Sequence, residues 1–414
     1  MQLIHDLYTK LIKNFSFNKV KHLFIIFFLS PIIIFIVLIR PIIFIRFGNL
    51  NCERIGNSFF DAELYLLFNK FKKKKIKSFD IWVLGEYLCN QQLLVILKRK
   101  FFISQHLLVF YNALKILSKY FNVCSKHIII QPKYNAETKY LFDKHPCQLA
   151  LTKREIDEGE LILKKFGIPE NAKIVCITCR DSLYLKKNYP KLDFSYHKYR
   201  DGNIKNYIPA IKSLISKNFY VVRMGKIAKE KINIKSDKFI DYPFHPLKSD
   251  FMDFFFAHKC HFWIGNNMGL DEVAKVFRKP LILTNMSPLS ILRMHTKKIL
   301  IFLRIFKNSN NQKLSMSKIF DYGIANLTRD EQFKKKKIKL IEVNSNEYKK
   351  IILEVLKIMK DSWKIKNKRD LALQKRFRKL FSKKINEFNF LQLQGKFKSI
   401  YSPYFLRKNQ WFLK

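Results

Sequence analysis

The sequence predicts two α/β domains of parallel strands alternating with helices, behind a hydrophobic N-terminal segment, and three observations predict it. The stretch Phe262–Asn285, FWIGNNMGLDEVAKVFRKPLILTN, reads as an apolar strand, a loop holding Gly265, Asn266, Asn267 and Gly269, a short amphipathic helix, and a second apolar strand opened by Pro280. A length of 414 residues is enough for two such domains, each with its own core. Leu23–Ile39, LFIIFFLSPIIIFIVLI, contains no charged residue.

A hydrophobic fraction of 48% with 15% aromatic residues excludes a disordered chain. Lys and Arg number 79 against 32 acidic residues, a formal charge of +47. The lysines are scattered, with runs at Lys72–Lys75 and Lys334–Lys337, and resemble a coding bias as much as a selected footprint. No nucleic-acid-binding module accompanies them, so an anionic membrane surface, not nucleic acid, is the expected partner of the charge. Seven cysteines form no regular framework. Cys176 and Cys179 have C-x-x-C spacing, but three positions along a strand point to opposite faces, which suits buried thiols better than a metal.

The run Leu23–Ile39 is at the short limit for crossing a bilayer and has Pro31 inside it, so it spans once or lies in one leaflet as a kinked anchor. A buried helix or hairpin of the first domain is the alternative. Basic residues flank both ends and leave the orientation open. Pro41–Phe47 reads as the first strand. The expected division is a membrane-associated segment over 1–40, a first domain over 41–170, a second over 171–360, and a basic tail over 361–414 that packs back on the body.

After the first strand, FGNLNCERIGNSFFDAELYLLF places Glu53, Arg54, Ile55, Gly56 and Asn57 in a loop that opens a helix. With only 11 glycines in the chain, Gly48 and Gly56 are expected to answer backbone needs, and such a turn can bind an anion. A plain strand-to-helix turn is the other reading. Thr152 with Glu155 marks a capping box for a helix ended by Gly167 and Pro169.

In the second domain, KIVCITCRD is a buried strand delivering Arg180 and Asp181 at its carboxyl edge. A surface ion pair is the ordinary alternative. Asp193, His197, Tyr199, Arg200, Asp201 and Asn203 form the densest cluster of reactive side chains. The strand FYVVR ends on Arg223 and is followed by Met224, Gly225 and Lys226. Arginines from separate strands facing one crevice suit an anionic ligand such as a diphosphate. Ser249 is expected to cap the next helix, and His258, Cys260 and His261 make no convincing metal set. His295–Ile305, basic and apolar, is expected to be a membrane-facing patch. No Asp-x-Asp motif is present.

RPIIFIRFGN with ERIGNSFFDAELYL, CRDSLYL, YHKYRDGNIKNYIPAIKSL, YVVRMGK, DYPFHPLKSDFMDFFFAHKCHFWIGNNMGL and PYFLRKNQWF together resemble a bacterial glycosyltransferase family of surface-polysaccharide and lipopolysaccharide gene clusters. The Phe262–Asn285 unit resembles the donor-site unit of two-domain GT-B glycosyltransferases, with Met268 where that pattern carries Ser. The resemblance implies two Rossmann-like domains and a nucleotide-sugar donor. It implies a glycan or lipid-linked acceptor, with no metal or other cofactor, on the cytoplasmic side of the bacterial inner membrane.

Carried onto this chain, Arg180, Arg200, Arg223 and Gly225 would face the donor phosphates. Asn266, Asn267 and Gly269 would hold the nucleotide or sugar, and Arg54, Gly56 and Asn57 would line the acceptor cleft. Asp181, His197 and Asp201 are the candidates for the base that takes the acceptor proton. A nucleotide-sugar epimerase of the same fold, or a non-catalytic membrane-associated binding protein, would share much of this pattern.

Overall fold

The computed structural model describes residues 17–70, 77–85, 87–132, 137, 139–289, 292–388 and 395–414. The lysine run at 72–75, the start of the N-terminal segment over 1–16, and positions 290–291 of the loop after Ser287 lie outside the described residues.

From the N-terminus the elements run α1 (Phe17–Leu38), β1 (Phe44–Leu50), α2 (Ile55–Lys70), β2 (Ser78–Leu84), α3 (Gln91–Lys98), β3 (Phe102–Ile103) and α4 (Leu108–Leu117). The chain divides into two compact units. The smaller comprises residues 1–54, 68–90 and 94–131, and the larger comprises 55–67, 91–93 and 132–414. The larger unit takes up the chain from residue 132 onward, and most of α2 belongs to it.

In the smaller unit, β1, β2 and β3 form a parallel sheet in that order. Gly48 lies opposite Trp82, and a Cβ there would stand 2.5 Å from the indole, so the glycine is required by the ring that crosses it. Arg46 and Asp80, also in register, pair through two hydrogen bonds of 2.7 and 2.8 Å. Phe47, Val83, Phe110, Leu114, Ile33 and Ile36 share the core, so α1 is seated on this unit by one of its faces. The strand begins at Phe44, later than the Pro41 expected. The N–H groups of Ile42 and Ile43 bond back to the Ile39 carbonyl, and the helical turn persists beyond Leu38. Among the described residues, no helix is long and apolar enough to cross a membrane.

The larger unit continues with α5 (Lys153–Lys165), β4 (Lys173–Ile177), α6 (Leu183–Asn188), α7 (Ile208–Ile215), β5 (Phe219–Arg223), β6 (Phe239–Asp241), α8 (Asp250–Lys259), β7 (Phe262–Gly265), α9 (Gly269–Val276) and β8 (Leu281–Met286). It ends with β9 (Ile299–Leu303), β10 (Ile305–Lys307), β11 (Lys339–Ile341), α10 (Ser345–Lys360), α11 (Lys368–Glu387), β12 (Ile400–Tyr401) and α12 (Pro403–Lys408).

Seven strands form one sheet, β12-β9-β8-β7-β4-β5-β6, parallel at every pairing; β10 and β11 form a separate antiparallel pair. The strands are nearly continuous apolar runs because the sheet is covered on both faces. Thr152 and Glu155 close the expected capping box on α5, and the Ser249 hydroxyl accepts the Met252 N–H at the start of α8. The stretch His295–Ile305 is not a membrane-facing patch. Its residues Ile299–Leu303 are β9, fully buried between β8 and β12, because an apolar run of that length reads the same in a core as at a lipid surface. In the basic tail, β12 extends the sheet, and Arg407 of α12 bonds Asp370 of α11 at 2.6 Å.

Candidate active site

The larger sheet has one place where its order turns. From β4 the chain steps outward through β5 and β6, then returns to the other side of β4 to lay down β7. Loops leaving two such neighbouring strands diverge and open a crevice at their carboxyl ends. The loops here are Thr178–Asp181 after β4 and Asn266–Met268 after β7. The Arg180 N–H donates to Asn266 Oδ1 at 2.9 Å, which ties the two together. A third segment crosses them: the Gly202 N–H donates to the Arg180 carbonyl at 2.9 Å. A Cβ on Gly202 would stand 2.9 Å from both Asn266 Nδ2 and Cys179 Sγ, so a glycine is needed for this approach.

Two arginines meet at this crossing. Arg180 Nε lies 3.2 Å from Asp201 Oδ1, and Arg200 Nη2 donates to the Asn267 carbonyl. Burial, then the neighbouring Arg180 charge, push the Arg200 guanidinium down to about 10. Burial raises the Asp201 carboxyl above its usual range, and Arg180 opposes the rise. Arg304, which follows β9, donates to the Asp201 carbonyl and lies 3.3 Å from Glu342. Arg200 Nε, Arg304 Nε, Asn266 Nδ2 and Asn267 Nδ2 are buried donors without an acceptor among the described residues. Each such donor costs about 1–3 kcal/mol, which an anion accepting from them would offset.

Two helix N-termini converge beside these donors. Gly269 opens α9, and Gly56 lies in the first turn of α2. A Cβ on Gly56 would stand 2.6 Å from the Gly269 backbone, so only glycine lets the two ends touch. Each end carries roughly half a positive charge. Asp271 anchors the loop between β7 and α9, accepting from Thr178 Oγ1 at 2.6 Å, Met268 N at 2.7 Å and Trp263 Nε1 at 2.8 Å.

Burial pushes the Asp271 carboxyl up from 3.8 to about 6. Between these values the folded chain holds a proton that the unfolded chain has released. The Asp271 contribution to stability is therefore present below about pH 4 and lost as pH rises to about 6. We expect the urea midpoint of Asp271→Asn to lack this fall when compared with the unsubstituted chain across that window.

The remaining expected residues are placed as follows. Arg223 ends β5, one strand over from β4, but is buried and committed: Nη1 donates to the Glu230 carbonyl at 2.6 Å and pairs with Asp241, its neighbour in register on β6, at 3.2 Å. Gly225 has φ +152 and lies against Pro243. Asp181 accepts the Leu183 and Lys229 N–H groups, each at 2.9 Å, one on each carboxylate oxygen, so it holds the turn into α6 and the 229 loop. His197 is half-buried, its ring 4.1 Å from that of Tyr196. Arg54 and Asn57 are exposed. The seven cysteines are free thiols. Among the described residues, no group of His, Cys, Asp and Glu could hold a metal ion.

No protein-family model and no curated protein sequence matches the chain. Among solved structures it is similar to ADP-heptose LPS heptosyltransferase II of E. coli, at 12% identity and a TM-score of 0.36, over 62% of this chain and 90% of that one. It is similar to a glycosyl transferase of family 9 from Veillonella parvula, at 9% identity and a TM-score of 0.39, over 70% and 95%. A third is UDP-GlcNAc 2-epimerase from Methanocaldococcus jannaschii, at 10% identity and a TM-score of 0.28, over 76% and 100%. The chemistry of the site rests on its own residues.

Arg304, Glu342 and Gly202 were not singled out from sequence. Arg304 carries the same signal as Arg180, a charged residue directly after an apolar strand, in ILIFLR.

Proposed function

We propose that the chain is a metal-independent glycosyltransferase of the GT-B type. It moves a sugar from a nucleoside diphosphate donor to a cell-surface glycan or lipid-linked acceptor, on the cytoplasmic side of a bacterial inner membrane. The observation that carries the reading is the set of buried donors at the carboxyl ends of β4 and β7. Among the described residues, Arg200 Nε, Asn266 Nδ2 and Asn267 Nδ2 lack acceptors beside Arg180 and two converging helix N-termini.

In this reading the acceptor oxygen attacks the anomeric carbon as the bond from that carbon to the diphosphate oxygen breaks. The electron pair leaves with the diphosphate, whose growing negative charge Arg180, Arg200 and the helix ends stabilise. The acceptor proton passes to a base. Asp201, whose carboxyl burial raises, and His197 remain the candidates, whereas both Asp181 oxygens are engaged by backbone N–H groups. This reading leaves Arg223 out, because it is more deeply buried than Arg180 and Asp241 and the Glu230 carbonyl already engage it.

The test is thermal unfolding against a panel of nucleoside diphosphates. One of them should stabilise the chain saturably, by about 2.7 kcal/mol at a hundredfold excess over its Kd. Stabilisation by none of them, with tight salt-sensitive binding of nucleic acid instead, would defeat the reading.

A further inference from the structure

We propose that the outer face of α1 docks on an anionic lipid leaflet, with the helix lying in the plane of the interface and not crossing it. This is independent of the sugar chemistry, since it rests on the smaller unit alone.

Over Phe24–Leu38 the helix is apolar on every side apart from Ser30, and among the described residues it has a protein partner on one side only. Ile25, Ile26, Leu29, Ile33 and Ile36 pack into the core of the smaller unit, beside α4. Phe24, Phe27, Phe28, Ile32, Phe35 and Leu38 form the opposite stripe and are 51–73% exposed. Ile42, 81% exposed, continues it into the turn. An apolar stretch of helix is stable only when both sides are buried, and among the described residues only the side facing the smaller unit's core is covered.

Two features select lipid as the cover. First, Pro31 lacks the N–H that would have bonded the Phe27 carbonyl. Ser30 Oγ donates to that carbonyl at 2.7 Å, so the one backbone acceptor the proline frees on this face is satisfied from within the helix. Water would satisfy it without help, and hydrocarbon cannot. A protein interface of this size would be expected to present several polar groups to its partner, and this stripe presents none.

Second, the smaller unit is basic almost without relief. Its stretch 94–131 holds Lys98, Arg99, Lys100, Lys115, Lys119 and Lys126 and no acidic residue. Of its acidic side chains, Asp80 is already paired with Arg46. Lys19, Lys21 and Arg40 bracket the apolar run in sequence. A unit with this excess of basic residues is drawn to anionic headgroups.

The same geometry excludes crossing. The uncharged part of the helix, Leu23–Leu38, is roughly 24 Å long against a hydrocarbon thickness of about 30 Å. Standing upright in a bilayer would strip Ile33 and Ile36 from the core, and the Ile39 carbonyl holds the following turn against the start of β1.

The test uses the full chain and its F28E/F35E double variant. Each is floated with vesicles of phosphatidylcholine alone or mixed with phosphatidylglycerol. Both substituted side chains are exposed, so the variant should unfold as the unsubstituted chain does, and a matched urea midpoint verifies this. We expect flotation with the anionic vesicles, weakened by salt, and at least about a tenfold lower partition for the variant. Alkaline carbonate should release the bound chain without detergent. Equal flotation of the variant would overturn the proposal. Retention after carbonate, released only by detergent, would show a crossing helix and also overturn it. So would a lipid-free dimer that the variant dissociates, since a second copy would then cover the face.

Discussion

Replacing Arg200 with Ala should lower kcat/KM for nucleotide-sugar turnover by about 10²–10³-fold, the loss typical of removing one donor to a leaving or developing anion. Nucleoside diphosphate binding should weaken in parallel. Arg200 is held by the Asn267 carbonyl, deep among groups that already disfavour its charge, so its guanidinium is costly to keep there unless a ligand uses it. Arg200→Lys should recover little, because a single ammonium cannot reproduce the planar fork that serves both the carbonyl and a phosphate.

Arg223→Ala tests an arginine committed to the fold against Arg200. It breaks a buried pair with Asp241, so its effect should appear in the urea midpoint and not in the affinity of the folded fraction. Steady-state kinetics beside denaturation curves decide this. An Arg200 variant with unchanged turnover would remove the central group from the site.

The largest effect on stability is expected at Glu63. This carboxylate is fully buried on α2 and accepts the Gln148 N–H at 3.0 Å, the Leu149 N–H at 3.1 Å and Arg278 Nη2 at 2.5 Å. Arg278 in turn lies over the Phe142 ring, 4.4 Å from its centre, and donates to the His145 carbonyl. Glu63→Ala leaves a guanidinium and two backbone donors without their acceptor and should cost about 3–5 kcal/mol. Removing the exposed Lys164, 4.0 Å from Glu170, should leave the urea midpoint within error. Equal midpoints for the Glu63 variant and the parent chain would mean that the pair is solvated in solution.

Much of the sheet was legible because buried parallel strands are written as apolar runs. KIVCI, FYVVR and FWIG were each readable as strands, and the loops after the first and last hold Arg180 and Asn266. A charge after such a run marks the carboxyl end of a strand and says nothing about its partners. This rule placed Arg180 and Arg223 at the same end of adjacent strands, but Asp241 arrives in register from β6, and only the pairing of strands reveals that. Applied once more, the rule would have found Arg304.

What was not legible depends on contacts far apart in sequence. Nothing in ERIGNSFFDAELYL says that its helix joins residues beyond 131, or that Gly56 answers to Gly269 and Glu63 to Arg278. The run at Ile299–Leu303 illustrates the converse: hydrophobicity alone does not say whether protein or lipid will cover it.

The division of the chain into interleaved pieces limits how the molecule can be dissected. A cut at residue 131 would yield a C-terminal fragment lacking 55–67 and 91–93, and with them the glycine that faces Gly269 and the carboxylate that neutralises Arg278. Neither half can therefore be prepared intact as a contiguous fragment, and domain-swap chimeras with a single crossover would sever the larger body from its own scaffold.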